Sequence, residues 1–354
     1  MTVPTREPLQ RRVLLPHAVS DAPAPAGAVV HSYGGASMGT SWSVRVAAPA
    51  ARAPAHLQQG LQAQLDDVVA QMSHWEADSD LGRFNRAEAG TRLTLPPAFF
   101  DVLSFAVDVA RASGGAYDPC AGALVNLWGF GPTGRYDEAG FVAPDAHQVR
   151  AVQAERAAQR LELDAHTRSA RQPGGMQLDL SAVAKGYSVD RLAHYLQAQG
   201  YGHYLVEVGG ELRGAGVKPD GQPWWVTLEQ VDGAVAGGVA GTAPGEMVLA
   251  LHGLSVATSG DYRRFFVAGQ ERYSHTIDPR SGMPIANALA SVTVIHPHCM
   301  AADAWSTALT VLGAERGLAL AERLGLAARF VARAGTPSHY EETLSSALRA
   351  MLDD

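Results

Sequence analysis

The chain has 354 residues, of which 47% are hydrophobic and 18% charged, and its formal net charge is −7. This length allows one large domain or two ordinary ones, and the composition is typical of a globular protein with a sizeable core. Lysine and arginine are scattered along the chain, so no basic patch of the kind that binds nucleic acid is expected.

The N-terminal segment and the cysteines exclude further classes. Residues 1–29 are basic and then rich in proline and alanine, and we expect a mobile leader. Their short apolar run is broken by Pro16 and His17, so it makes a poor export signal, with a trimmed or misannotated signal as the alternative. A cytoplasmic location is therefore expected. Cys120 and Cys299 form no C-x-x-C motif of a redox or zinc site, and no stretch approaches the roughly 20 apolar residues of a membrane span.

The first half of the chain mixes strands and helices. Residues 32–48 predict a Gly/Ser turn and then a strand, in which apolar and polar residues alternate. Residues 56–75 and 96–115 have apolar positions at helical spacing, and the second helix has prolines at its start and a Gly-Gly pair at its end. Residues 131–145 predict a surface loop, and residues 143–157 a helix.

The second half continues the same mixture. Two short strands around a turn are expected before Ser181, which is a candidate cap for a helix that Gly200 ends. Further predicted elements are strands over 203–210, 223–231, 245–260, 289–297 and 326–333, helices over 300–313 and 314–325, and a flexible loop over 232–246. The tail from residue 335 is weakly patterned. Short links between strands favour antiparallel sheets and an α+β fold over a doubly wound sheet.

Two stretches suggest sites for charged ligands. Asp303 and Thr307 lie at i and i+4 of a predicted helix, where their oxygens would suit Mg²⁺ or Ca²⁺. Spacing alone favours the alternative of a capping aspartate and an ordinary mid-helix threonine. Asp179 precedes the helix that begins near Ser181, and Lys185 lies in its first turns, as in an anion site. The alternative, a capped helix with a solvated lysine, is about equally supported.

Two further stretches suggest a flat ligand and a base. Tyr117 could stack on a ring and Asp118 could accept a hydrogen bond, although a tight Asp-Pro turn explains both residues. Met38 and Trp75 are candidates for lining the same ligand, although single residues of these types are usually core. His275 is a candidate general base that Asp278 could orient, or Asp278 could help bind metal. A satisfied turn is the alternative there.

Several other motifs are absent or incomplete. The stretch GGASMG has the wrong spacing for a dinucleotide fingerprint and leads into a strand rather than a helix. There is no P-loop and no G-x-S-x-G elbow. The HPHC stretch at 296–299 has no second cluster that would complete a zinc site.

Together, eight blocks in the same order resemble the FAD:protein FMN transferases, the ApbE family, over about residues 33–334. The blocks are SMGTSWSV, MSHWEADSDLGRFN, GGAYDPCAGALVNLWGFGP, LDLSAVAKGYSVDRL, YLVEVGGELRGAG, ATSGDYRRFF, YSHTIDPRSGMPI and SVTVIHPHCMAADAWSTALTVLG. The resemblance implies a single bilobed α+β domain related to the T-fold, with mostly antiparallel sheets and flanking helices. The expected division is a leader (1–29), a transferase domain (30–334) and a C-terminal tail (335–354).

The resemblance also implies an activity and its residues. Such an enzyme uses Mg²⁺ to transfer FMN from FAD to a Ser or Thr hydroxyl of an acceptor protein, and AMP leaves. The acceptors are flavin-carrying subunits of respiratory and related redox complexes. Asp303, Thr307 and a carbonyl near Ala182 match the metal ligands, and His275 matches the base. The positions that match FAD contacts are Met38, Trp75, Ala116, Tyr117, Asp118, Asp179, Lys185 and Ile277, with Trp75 standing where Tyr is common.

The resemblance leaves three points open. An FAD pyrophosphatase that releases FMN and AMP would share the same residues, because only the attacking hydroxyl differs. A non-catalytic flavin-binding or flavin-delivery protein is a further alternative, against which Asp303, Thr307 and His275 argue. Many family members begin with a lipoprotein signal and face the periplasm from the inner membrane. No such signal is evident in this sequence.

Overall fold

The computed structural model describes residues 11–19, 22–52, 55–230, 245–262, 264–335 and 339–352. The strands of these residues are β1 (Arg12–Leu14), β2 (Ala28–Ser37), β3 (Thr40–Pro49), β4 (Arg92–Thr94), β5 (Glu162–Asp164), β6 (Ser169–Arg171), β7 (Tyr204–Val208), β8 (Glu211–Ala215), β9 (Trp224–Thr227), β10 (Met247–Leu251), β11 (Leu254–Gly260), β12 (Phe265–Ala268), β13 (Glu271–Ser274), β14 (Ile277–Asp278), β15 (Met283–Pro284), β16 (Leu289–His296), β17 (Ala327–Arg333) and β18 (Tyr340–Leu344). The helices are α1 (Ala55–Met72), α2 (Asp80–Arg86), α3 (Pro97–Ala112), α4 (Gly122–Leu127), α5 (Ala146–Ala158), α6 (Ser181–Ala198), α7 (Cys299–Leu324) and α8 (Ser346–Arg349).

A central sheet of eight strands organises the fold, in the order β18-β17-β16-β11-β8-β7-β3-β2. Every neighbouring pair in it is antiparallel, so the predicted α+β class with mostly antiparallel sheets is confirmed. Strand β16 is buried along seven of its eight residues. Because successive residues of a strand point to opposite faces, such continuous burial indicates a strand covered on both faces.

Helices cover one face of the central sheet. Helices α1 and α6 pack over β3 and β7 through Leu57, Leu61 and Leu65 on α1 and Val189 and Leu192 on α6. Helix α7 packs over β11, β16 and β17. The other face is covered by the small sheet β1-β10-β9 and by α8.

A second lobe adjoins the start of α6. Its core contains Phe84 of α2 and Phe99 and Leu103 of α3, and the same cluster includes Leu180 and Val183 at the start of α6. The small sheet β4-β6-β5 contributes Ala170 to it. The first turn of α6 therefore lies between the two lobes.

The predicted position of the turn before β3 is wrong. Gly34 and Gly35 lie within β2, where a Cβ on Gly35 would approach Nε1 of Trp42 to 2.8 Å, so the backbone passes close to that ring. The turn follows them, at Met38 and Gly39, whose φ angles are 52° and 71°. A two-residue hairpin loop with two positive φ angles matches the twist of the flanking strands.

Both ends of the described chain fold onto the domain. The prediction of a mobile leader over 1–29 is wrong for Arg12–Leu14, because β1 pairs in parallel with β10 and Leu14 is fully buried. Arg12 also donates to Glu342 of β18 at 2.7 Å. The weakly patterned tail contains β18 and α8, whose Leu348 joins the same core cluster as Leu14. Most of the loop predicted over 232–246 lies outside the described residues.

The break predicted at Gly313 is confirmed within the segment labelled α7. Its Gly313 has φ 80° and ψ 173°, values far from helical, so the two predicted helices are joined across a kink. Of the helices within the described ranges, none is long and apolar enough to cross a membrane.

Candidate active site

The site begins where α6 and α7 cross. A Cβ on Gly186 would lie 2.4 Å from the Cys299 carbonyl oxygen and 2.7 Å from Cβ of Asp303, so only glycine permits this approach. The carboxylate of Asp190 on α6 accepts from the backbone amides of Cys299 at 3.1 Å and Met300 at 2.9 Å. These contacts fix the start of α7, and they place Asp303 beside the first turns of α6.

Asp303 changes the hydrogen bonding of α6. Its Oδ2 accepts from the backbone amide of Gly186 at 2.9 Å, an amide that a regular helix would direct to the carbonyl of Ala182. Ala182 itself departs from helical geometry, with φ −95° and ψ 21°. The Ala182 carbonyl therefore lies outside the regular helical pattern, as a backbone ligand for a cation requires.

Thr307 lies one turn beyond Asp303 and borders the same cavity. Its hydroxyl is 2.9 Å from the hydroxyl of Ser259 at the end of β11, which is also 2.8 Å from the hydroxyl of Ser306. The contact with Ser259 therefore fixes the Thr307 hydroxyl against the central sheet. Hydroxyl, carboxylate and carbonyl oxygens are the donors that hard divalent cations prefer.

The charge at this crossing is unbalanced. Asp303 is 4% exposed and Glu211 is 2% exposed, and one ammonium, that of Lys185, contacts Glu211. Burial raises the pKa of Asp303, and the nearby Lys185 opposes that rise. Burial also raises the pKa of Glu211 to about 7, against the effect of Lys185. When both carboxylates are ionised, the one ammonium does not balance them, and a divalent cation would offset the surplus negative charge. Across the described part of the chain no cluster of three His, Cys, Asp or Glu residues suits a metal.

The start of α6 is arranged differently from the prediction. Ser181 is not the cap residue, because Leu180 holds that position and Ser181 is the first helical residue. Oδ1 of Asp179 accepts from both the amide and the hydroxyl of Ser181, at 2.8 and 2.6 Å. A further contact of 3.5 Å joins Asp179 to Nδ1 of His74. Asp179 therefore satisfies the first backbone amide of α6.

His275 is fixed in one tautomer. Its Nδ1 lies 3.0 Å from the carbonyl oxygen of Arg264, which can only accept, so Nδ1 carries the proton and Nε2 is the acceptor. The backbone amide of His275 donates to the same oxygen at 3.1 Å. Burial lowers the pKa of His275 to about 4, so the ring is neutral near pH 7.

Asp278 does not orient His275. Its Oδ1 and Oδ2 accept from Nε and Nη2 of Arg280, both at 2.8 Å. The suggestion that Asp278 holds His275 is therefore wrong, because the Arg264 carbonyl has that contact. Ile277, between them, is buried and borders the histidine's cavity.

The Tyr117–Asp118 turn is held by α5. Oδ2 of Asp118 accepts from Arg156 at 2.5 Å, and Arg156 also donates to the carbonyl of Pro279 at 3.0 Å. Tyr117 is 4% exposed, and among the described residues its hydroxyl has no hydrogen-bond partner. Burial raises the pKa of Tyr117, so this hydroxyl remains a proton donor.

The site residues line two adjoining cavities. The histidine cavity has a volume of about 610 Å³. Except for Trp75, every residue matched to the family's metal, base and FAD positions borders it: Met38, Ala116, Tyr117, Asp118, Asp179, Ala182, Lys185, His275, Ile277, Asp303 and Thr307. The tryptophan cavity has a volume of about 680 Å³, and its lining includes Val68, Met72, Trp75, Arg135 and Arg264. Met38 and Lys185 border both cavities.

Trp75 lies close to two guanidinium groups. It is 42% exposed, and the Cζ atoms of Arg135 and Arg264 lie 5.7 and 5.6 Å from its ring centroid. Arg264 borders both cavities. An aromatic ring flanked by cations in a cavity is suited to a flat, electron-rich ligand.

Several lining residues were missed from the sequence. Arg135 and Arg264 belong to loops whose positions only the fold reveals. His74 and Glu211 had a weak signal, because each lies within a recognised block beside a predicted site residue or a Gly-Gly turn.

The chain was compared with known proteins. The ApbE family model matches residues 38–330. A FAD:protein FMN transferase of Vibrio cholerae is 36% identical over 319 residues, which is 90% of this chain and 91% of that protein. One from Haemophilus influenzae is 34% identical and covers 92% of each. The crystal structure of the flavinyl transferase ApbE of Pseudomonas stutzeri, in its apo form, has a TM-score of 0.80 and 37% identity over 92% of this chain and 97% of that one. The chain therefore belongs to the ApbE family of flavin transferases.

Proposed function

We propose that the protein transfers the FMN portion of FAD to a Ser or Thr hydroxyl of an acceptor protein, with Mg²⁺ as cofactor and AMP as the leaving group. Flavin transfer follows from family membership. One observation carries the finer proposal. Oxygen donors for a cation, a neutral histidine and a lysine all border a single cavity of about 610 Å³.

The residues at the helix crossing fit Mg²⁺. Asp303, Thr307 and the Ala182 carbonyl would hold it, and the surplus negative charge of Asp303 and Glu211 favours a cation there. When bound, the ion would withdraw charge from the pyrophosphate oxygens of FAD.

Lys185 and the start of α6 would hold the pyrophosphate. Backbone amides at a helix start carry partial positive charge, and the Lys185 ammonium adds a full charge at the place where the two cavities meet. A dinucleotide bound here would extend its two halves into the two cavities. Phosphoryl transfer depends mostly on such positioning and charge neutralisation.

His275 would take the proton in the transfer step. The acceptor oxygen attacks the phosphorus of the FMN half, the phosphorus–oxygen bond to AMP breaks, and the hydroxyl proton passes to Nε2 of His275. The Arg264 carbonyl keeps Nε2 unprotonated beforehand. A bound phosphate near the ring would raise its pKa from about 4 toward neutrality, which makes it a stronger base.

The test is a flavin-labelling assay. The protein is mixed with FAD, Mg²⁺ and a flavin-free subunit of a respiratory redox complex, which is our proposed class of acceptor, and the mixture is then denatured. We expect flavin fluorescence on the acceptor band and one AMP per flavin attached. A matched acceptor lacking the hydroxyl should remain unlabelled.

Two results would contradict this proposal. AMP release at full rate with no labelled band in any acceptor would indicate a pyrophosphatase. Bound FAD without AMP release would indicate a flavin carrier.

A further inference from the structure

Glu211 is a buried carboxylate that is neither a proposed metal ligand nor the proposed base. It begins β8 directly after Gly209 and Gly210, whose φ angles of 63° and 102° turn the chain back toward the histidine cavity. It is 2% exposed and borders that cavity. Its Oε1 accepts from the ammonium of Lys185, whereas Oε2 is buried with no hydrogen-bond partner among the described residues.

The position of Glu211 is unfavourable for binding an anion. It adds a second buried negative charge near Asp303, at the place where FAD would bring its pyrophosphate. Burying an ion costs several kcal/mol, and a buried ion pair is often no more stable than an apolar pair of the same size. A role in stability alone is therefore a weak explanation.

Lys185 supplies a better explanation. A lysine ammonium is a point charge on a flexible four-carbon stem, so its location depends on a partner. Glu211 is rigidly placed at the start of β8, a strand of the central sheet. Lys185 extends from α6 and borders both cavities. Their contact holds the ammonium at the junction of the cavities.

We propose that Glu211 is a positioning residue for the transfer reaction, which orients the Lys185 ammonium toward the pyrophosphate of the bound dinucleotide. This inference rests on the proposed function. It requires that Glu211 strengthens FAD binding only when Lys185 is present. Without the lysine, the carboxylate would only repel the ligand.

A double-mutant cycle tests that dependence. FAD dissociation constants are measured at pH 8 with EDTA present, for the wild type, Glu211→Gln, Lys185→Met and the double variant. In the wild-type background we expect Glu211→Gln to weaken FAD binding about tenfold, the size of one charge-assisted hydrogen bond. In the Lys185→Met background the same change should leave binding equal or tighter. Glu207→Gln is the matched control, because Glu207 lies on the adjacent strand β7, is bound to Ser43 at 2.9 Å and borders neither cavity.

Each result decides the matter. Equal weakening in both backgrounds, or no weakening in the wild-type background, would overturn the inference. Thermal unfolding checks that each variant folds. If Glu211→Gln does not fold, Glu211→Asp replaces it, because its shorter side chain should also fail to hold the Lys185 ammonium. If the wild type does not bind FAD, the proposed function fails first and the inference with it.

Discussion

The two cavities that meet at Lys185 are built in different ways. The histidine cavity contains buried charged and polar groups held by backbone atoms, such as Asp303 by the Gly186 amide and His275 by the Arg264 carbonyl. The tryptophan cavity has an apolar floor, including Val68 and Met72, and a half-exposed ring at its rim.

This difference suggests that the histidine cavity serves the chemical step and the tryptophan cavity serves FAD binding. Buried, preorganised polar groups are costly to place and act strongly on developing charge, as chemistry requires. An apolar floor with an accessible aromatic ring gives binding energy with little orientation. Substitutions in the histidine cavity should therefore lower kcat, whereas those in the tryptophan cavity should raise KM for FAD.

The largest effect is expected for Asp303→Asn. The variant keeps the size of the side chain and an oxygen for the Gly186 amide, but it loses the charge that would hold Mg²⁺. We expect kcat/KM to fall by about 1,000-fold or more in the flavin-labelling assay. The control is Asp108→Asn, an exposed carboxylate of α3 paired with Arg111. Wild-type activity in Asp303→Asn would remove the metal site from the account.

His275→Gln should come next. General-base help is typically worth about 10²- to 10⁴-fold, so kcat should fall by that factor while the FAD dissociation constant stays near its wild-type value. His166→Gln, in the exposed turn between β5 and β6, is the control. An unchanged kcat would show that another group takes the proton, and a raised dissociation constant would assign His275 to binding instead.

Trp75→Ala should have a smaller and different effect. Stacking of a base on an aromatic side chain is worth about 1–3 kcal/mol, so KM for FAD should rise about tenfold or more, with kcat nearly unchanged. Trp75→Tyr should keep most of the affinity. Trp225→Ala is a matched control, because Trp225 is similarly exposed, at 40%, but lies on β9 outside both cavities. A fall in kcat without a change in KM for Trp75→Ala would contradict the separate roles proposed for the two cavities.

The smallest effect concerns stability and pH. Because the pKa of His275 is about 4 when folded and about 6.5 in an unfolded chain, the unfolded state binds more protons between these values. Folding stability is therefore lost as the pH falls from about 6.5 to 4, by about 3 kcal/mol from this residue. Urea titrations at several pH values should show a shallower decline for His275→Gln. Parallel declines would indicate that His275 is not buried as a neutral ring.

Much of the fold and the site follows from the sequence. Alternation and helical spacing predicted β3, α1, α3 and β16, and the residues matched to the family's metal, base and FAD positions all border one of the two cavities. Their roles stay predictions. The ordered blocks carried this result, because single motifs such as Asp303 and Thr307 at i and i+4 favoured an ordinary helix.

The errors have physical causes. Ser181 has the composition of a cap, but Leu180 holds the cap position, and both the amide and the hydroxyl of Ser181 donate to Asp179. Asp278 is near His275 in sequence, yet Arg280 takes both its oxygens. Arg12–Leu14 looked like leader because three residues carry no periodic signal, and their partner strand β10 lies more than 230 residues away. Glu211 is meaningful only beside Lys185, a contact that only tertiary structure brings about.

One divalent cation is expected to bind at the crossing of α6 and α7, within reach of His275. Mn²⁺ accepts the same oxygen ligands as Mg²⁺ and scatters anomalously, so the most direct measurement is an anomalous difference map from a crystal soaked in Mn²⁺. We expect a peak about 2.0–2.3 Å from oxygens of Asp303, Thr307 and the Ala182 carbonyl. A well-diffracting soaked crystal without a peak there, or with its peak on other residues, would contradict it.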